Sequence, residues 1–156
     1  MDKSERVIDL KREEEFIKGY VSLRNRYCEL LTTQPVNVAE TKEWLKDNQI
    51  EVRGLVQDDL FLGAVILYLN RAGEIALFVK EPHQGIGTKL LKIVERVAEE
   101  KKLSSVWAWV LLDNQKARWA FRKNGYTEEG RSSRFYMEEN KAGIIFRKNI
   151  PQRGML

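Results

Sequence analysis

The feature that most constrains this chain is a change of hydrophobic period around Gly85 and Gly87. Before them, Ile75, Leu77 and Val79 alternate with Glu74, Ala76 and Phe78, the spacing of a strand. After them, Ile86, Leu90, Ile93, Val94, Val97 and Ala98 fall on one face of a helix. Two glycines at such a junction let the backbone turn and approach a ligand where a Cβ would block it. The first helical turn then offers unpaired N–H groups and the positive end of the helix dipole, an anion site. The dipole alone contributes about 0.3–1 kcal/mol to an exposed anion. Several N–H groups converging on a pyrophosphate would contribute more. A P-loop is excluded, because Gly87 is followed by Thr88-Lys89 rather than Lys-Ser/Thr. A dinucleotide fingerprint is excluded because Leu90 stands where its third glycine would be.

The remaining sequence places this junction in a mixed α/β chain. Val7 to Leu10 reads as a strand, and Lys11 to Leu31 as a helix carrying Phe16, Ile17, Tyr20, Leu23 and Tyr27 at helical spacing. Asn37 and Glu40 have the spacing of a capping box for a helix to about Asp47, with Thr41, Trp44 and Leu45 inward. Glu51–Gln57, Leu60–Leu69 and Glu74–Val79 form a meander of three strands. A helix to about Lys101 then crosses over to a buried strand at Leu103–Leu111, which should lie parallel to the last meander strand. Asn114 caps a helix that stops at Gly125. Strands follow within Tyr126–Tyr136 and at Gly143–Lys148, and Gln152–Leu156 reads as a frayed tail.

At 156 residues and 43% hydrophobic, the chain suits one domain with one substantial core. No apolar run approaches the roughly 20 residues of a membrane span. The segment Met1–Glu5 has no secretory pattern, and the single cysteine, Cys28, allows no internal disulfide, so a reducing cytoplasm is expected. Cys28 reads as a small buried apolar residue, since its only histidine partner would be His83. Lysine plus arginine exceed aspartate plus glutamate by 27 to 23, an excess that suits an anionic ligand. There is no concentrated basic stripe of the kind nucleic-acid binding needs, and neither nucleic acid nor metal is expected as a ligand.

Two separated stretches carry a family resemblance. Leu77–Leu91 resembles the acetyl-CoA loop of the GNAT superfamily of N-acyltransferases. Asn114–Tyr126, with Ala117, Phe121 and Gly125-Tyr126, resembles its later motif. Tyr20–Asn25 and Glu43-Trp44-Leu45 look like the branch that modifies ribosomal-protein termini, amino sugars and aminoglycosides. The resemblance implies one such domain over residues 1–156, with a mixed central sheet whose two parallel strands splay apart, flanked by helices. Coenzyme A would lie in the gap, its pantetheine amides pairing with backbone near Phe78 and Val79. The amides of Gln84, Gly85, Ile86, Gly87 and Thr88 would hold the pyrophosphate, with Lys89 and Lys123 in reach of a phosphate. Asn114 would bind the pantetheine arm and Phe121 would pack beside it.

The implied reaction is attack of a primary amine on the acetyl thioester. The acceptor is a small amine, an amino sugar or a protein N-terminus; no membrane is involved, and a homodimer is expected. A lysine-like amine is about 4.6 kcal/mol from its neutral form at pH 7, an α-amine only about 1.4 kcal/mol. Glu74, opposite Ile75 and Leu77 on the cofactor strand, is the candidate base or water-organiser. Phe121 stands where many members have a proton-donating tyrosine, which makes Tyr136 the candidate replacement. Pro82 stands where the family loop carries Arg or Gln, a place Gln84 takes after a shortening. No acidic residue precedes the last strand at Gly143. Arg24 and Asn25 would border the acceptor cleft. Of the four tryptophans, Trp44, Trp107 and Trp109 read as core and Trp119 as exposed. The rival from another class is a catalytically silent module that binds coenzyme A.

Overall fold

The computed structural model describes residues 4–81 and 85–152. The strands are β1 (Glu5–Asp9), β2 (Ile50–Gln57), β3 (Leu60–Tyr68), β4 (Glu74–Val79), β5 (Ser105–Leu111), β6 (Thr127–Tyr136) and β7 (Glu139–Asn149). They form one sheet in the order β1-β2-β3-β4-β5-β7-β6. All neighbours are antiparallel except β4 and β5, which are parallel as the crossover predicts. The helices are α1 (Ile17–Asn25), α2 (Cys28–Leu31), α3 (Val38–Trp44), α4 (Ile86–Glu100) and α5 (Gln115–Lys123).

Each face of the sheet has its own core. Ile86, Leu90, Leu91, Val94, Val97 and Ala98 of α4 pack with Ile75, Val106, Ala108, Val110 and Phe146 on one face. On the other, Ile17, Tyr20 and Leu23 of α1 pack with Val52, Ala64, Ile66 and Phe78. The apolar stripe read from the α4 sequence is therefore its buried stripe, with Ile93 only partly covered. The capping box of α3 forms: Glu40 N–H donates to Asn37 Oδ1 at 2.8 Å, and Asn37 N–H to Glu40 Oε1 at 3.2 Å.

Several expectations change. The long first helix is broken: a single 3-10 turn (Glu14–Phe16) leads into α1, and the chain kinks before α2. At the kink, Arg26 and Tyr27 donate to carbonyls three residues back, Leu23 (3.2 Å) and Arg24 (3.0 Å). The Tyr27 hydroxyl donates to the Val79 carbonyl at 2.6 Å, a tertiary bond that helical periodicity cannot foresee. Strand β7 starts earlier than Gly143, because a two-residue turn at Met137 (φ 52°) and Glu138 (φ 65°) joins it tightly to β6. That turn needs two left-handed residues, and without Gly or Asn it carries no sequence signal. Trp107 and Trp109 are not core residues. Val106, Ala108 and Val110 of β5 are buried under α4, so the two indoles alternate to the opposite face and stay half-covered. Gln152 is tied down, donating to the carbonyls of Leu103 (2.8 Å) and Ile150 (3.0 Å).

Candidate active site

The sheet is divided at β4 and β5. β3 and β4 are in register over six residue pairs and β5 and β7 over seven. A single pair, Glu74 with Trp107, joins β4 to β5. Beyond it the two strands diverge. The backbone directions follow from two bonds. The Gly73 carbonyl accepts from Trp107 N–H at 3.1 Å, and Lys80 N–H donates to the Leu62 carbonyl at 2.7 Å. A strand residue turns its N–H and C=O the same way, alternating along the chain. Leu77 and Val79 therefore present their backbone groups to the gap, whereas Phe78 presents its own to β3. This corrects the expectation for Phe78: its backbone is used by the sheet and its ring lies buried in the α1-side core. Leu77 takes its place beside Val79.

The gap opens into a cleft of about 670 Å³. Its walls are Tyr27, Leu30 and Leu31 on one side, Leu77–Val79 of β4, and Asn114–Ala117, Trp119, Ala120 and Lys123 of α5 on the other. Gly85, Gly87 and Thr88 close its outer end. Gly85 is the N-cap of α4 at φ 76°, and its carbonyl accepts Lys89 N–H at 3.2 Å to close the first turn. The N–H groups of Ile86, Gly87 and Thr88 precede that bond and have no acceptor within the helix. A Cβ built at Gly85 or Gly87 meets nothing within 4 Å. These glycines are thus not packing contacts. Gly63 is one, since its Cβ would lie 2.9 Å from the Phe78 carbonyl. An open, N–H-lined concavity beside a narrow cleft between unpaired strand edges fits a diphosphate on a long amide-bearing arm.

The match to known proteins agrees with this geometry. The Acetyltransferase (GNAT) family model matches residues 8–126. The chain belongs to this family. It is an acetyl-CoA-dependent acetyltransferase by that membership, and the fold is that of GNAT proteins of known structure. A GNAT superfamily phosphinothricin acetyltransferase from Sinorhizobium meliloti in complex with acetyl-CoA superposes with a TM-score of 0.80 at 11% identity, covering 96% of this chain and 90% of that one. For a ribosomal-protein-alanine N-acetyltransferase from Brucella melitensis the values are 0.80, 16%, 92% and 99%. For spermidine N-acetyltransferase from Vibrio cholerae, in complex with CoA and spermine, they are 0.78, 16%, 96% and 97%. No curated protein matches in sequence.

The other residues singled out by sequence divide into those the cleft gathers and those it does not. Asn114 lines the cleft, its Oδ1 accepting from Ala117 N–H at 3.2 Å as the cap of α5. Thr88 is on the wall, its hydroxyl accepting from Asn124 Nδ2 at 3.2 Å. Lys123 is on the rim, 4.8 Å from the ring centre of Trp119, which is 60% exposed as expected. Ile86 contributes only backbone, its side chain being buried in the core. Gln84 and His83 lie outside the described residues.

Five placements correct the sequence reading. Lys89 turns from the cleft to Glu5, with Nζ 2.9 Å from both carboxylate oxygens, because a buried carboxylate needs a partner. Phe121 does not line the cleft; its ring stacks on Phe146 at 5.6 Å and meets Tyr126 edge-on at 5.0 Å. Asn25 uses both side-chain ends on Val36, accepting from its N–H (3.0 Å) and donating to its carbonyl (2.8 Å), which fastens the segment before α3. Arg24 donates to the Gln34 carbonyl at 2.9 Å in the same segment. Tyr136 is buried and gives its proton to the Thr33 carbonyl at 3.0 Å. Burial, with Glu29 nearby, raises its pKa.

Glu74 sits where the strands part, buried on the α1 side of the sheet. Arg134 Nη2 pairs with its Oε2, and Arg71 Nη1 lies 3.5 Å from its Oε1. The cleft also shows what the sequence reading missed: Tyr27, Leu30 and Leu31 form a wall, although Tyr27 looked like one more core position.

Proposed function

We propose that the protein transfers the acetyl group of acetyl-CoA to the primary amine of a small molecule, an amino sugar or a protein N-terminus, in the cytoplasm. The observation that carries this reading is the single ladder pair between β4 and β5, which leaves the backbone of Leu77 and Val79 open to a ligand. When bound, the cofactor supplies an acetyl group activated as a thioester. The α4 N–H groups from Ile86 to Thr88 bind its diphosphate, and Leu77 and Val79 pair with its amides as a missing strand would. The Val79 N–H is directed into the gap as a donor to a carbonyl oxygen, and the peptide that follows it is held at both ends, Tyr27 donating to the Val79 carbonyl and Lys80 N–H to the Leu62 carbonyl. Much of the rate comes from holding the two reactants together.

Glu74 takes the proton of the incoming ammonium through a short chain of waters. It lies three residues from Leu77, about 10 Å along the strand, too far for direct transfer at the cleft wall. Tyr136 is assigned no proton transfer, its hydrogen being held by Thr33. With Phe121 in the core, the released thiolate takes its proton from water.

The test has two parts. Titration calorimetry with acetyl-CoA should show one site per chain. A panel of primary amines read by free-thiol release should then show turnover, and Glu74→Gln should lower kcat at least tenfold, most at low pH. Tight cofactor binding with no thiol release across the panel would instead identify a silent coenzyme A module.

A further inference from the structure

A cluster of charged and aromatic side chains lies on the α1 face of the sheet, beside the point where β4 and β5 part. Strand pairing puts Tyr68, Glu74, Trp107 and Arg147 in one row across β3, β4, β5 and β7. Arg134 crosses from β6, its guanidinium carbon 4.9 Å from the centre of the Trp109 ring, to reach Glu74. Arg71 lies 4.2 Å from the centre of the Tyr68 ring and meets the other Glu74 oxygen.

The charges do not balance. Among the described residues, Glu74 is the only carboxylate within 4 Å of either arginine. Two guanidinium groups against one carboxylate leave one positive charge unmatched. The neighbouring charges do not supply the deficit: Arg147 pairs with Glu129 and Lys141 with Glu139, while Glu29 acts on Tyr136 and Lys141. A single buried carboxylate is satisfied by one guanidinium fork, so it does not explain the other. Arg71 and Arg134 are held by the aromatic rings beneath them, and their side chains stay 55% and 30% exposed. Each guanidinium has five N–H donors, and one of Arg134's is used on Glu74.

We propose that this face binds an oxyanion on the acceptor: the amine that takes the acetyl group also carries a carboxylate or phosphate, gripped by Arg71 and Arg134. The proposal rests on the acetyl-transfer reading above and narrows its acceptor. The cluster adjoins the closed end of the gap, and about 10 Å of strand separates Glu74 from Leu77, so anion and amine stand several bonds apart, as in a phosphorylated amino sugar or an ω-amino acid. A polyamine would meet the same arginines as repulsion.

The experiment uses full-length protein loaded with coenzyme A and calorimetry with paired probes: 5-aminopentanoate against 5-aminopentanamide, glucosamine 6-phosphate against glucosamine, and spermidine alone. In at least one pair the anionic member should bind tenfold or more tighter, and the pair identifies the oxyanion. Arg71→Gln and Arg134→Gln should each bring that ratio below threefold without weakening coenzyme A. Arg71 lies in an exposed turn, so its variant keeps the test usable if Arg134→Gln does not fold. Equal affinity within both pairs, tighter binding of spermidine, or an unchanged ratio in the variants overturns the proposal. The same panel with acetyl-CoA separates the two readings. Anion preference without thiol release removes acetyl transfer and leaves the site; thiol release without anion preference does the reverse.

Discussion

Replacing Gly87 with glutamate should push stability and cofactor affinity in opposite directions. Gly87 is the second residue of α4, and a Cβ there meets nothing within 4 Å, so the fold has room for the new side chain. Removing a glycine from a helix and adding an acidic group to its first turn should together stabilise the protein by roughly 0.5–1.5 kcal/mol. In a domain of this size that corresponds to a rise in Tm of about 1–6 °C. The same carboxylate would stand in the N–H cradle. Against a diphosphate about 4 Å away at an effective dielectric of about 20, the repulsion is about 4 kcal/mol, close to a thousandfold in affinity. Thermal unfolding and titration calorimetry with coenzyme A, on Gly87→Glu and a Gly87→Ala control, read both effects. The control should gain stability and lose far less affinity. If Gly87→Glu melts higher yet binds coenzyme A as the parent does, the diphosphate does not sit on the first turn of α4 and the cleft assignment falls.

Three other outcomes are expected. Tyr27→Phe removes the 2.6 Å bond to the Val79 carbonyl, and should lower stability by about 1 kcal/mol in denaturant unfolding and lower kcat more than it raises KM for acetyl-CoA. Gly143→Ala should destabilise by about 1–3 kcal/mol, since the added Cβ would fall within the Trp109 indole; an unchanged unfolding midpoint would show that the indole moves aside freely. Burial raises the pKa values of Tyr20, Tyr68, Tyr126 and Tyr136, Tyr126 also facing Glu95 at 2.9 Å. Their protons are then held in the folded state but released by the unfolded chain above about pH 10, so stability is full below that pH and falls as pH rises beyond it. A Tm profile from pH 8 to 11 should decline, and Tyr126→Phe should flatten it; a flat parent profile would count against these environments.

Strand and helix patterns between Glu74 and Ala98, the glycines at their junction and the caps at Asn37 and Asn114 were legible because each is a local signal. A hydrophobic period, a positive φ or a side chain reaching three residues along the chain needs nothing distant to define it. The same locality explains why the family was readable: its two motifs each combine a turn with a helix start. Fates decided by partners far along the chain were not readable. Lys89 had the spacing of a phosphate ligand until Glu5, eighty-four residues away, took its charge. Tyr27 had the spacing of a core residue until Val79 accepted its proton.

Sequence alone thus determined that a strand must hand over to a helix through an open N–H-bearing turn, because that follows from side-chain period and glycine. Only the tertiary structure decided which strand edge stays unpaired. β4 and β5 separate after one residue pair, and that places Leu77 and Val79 rather than Phe78 at the gap. The two arginines on Glu74 come from the turn before β4 and from β6, segments that the sheet order brings together. Electrostatic balance is a property of that assembly, since a charge is matched or unmatched only by what lies within a few ångströms of it.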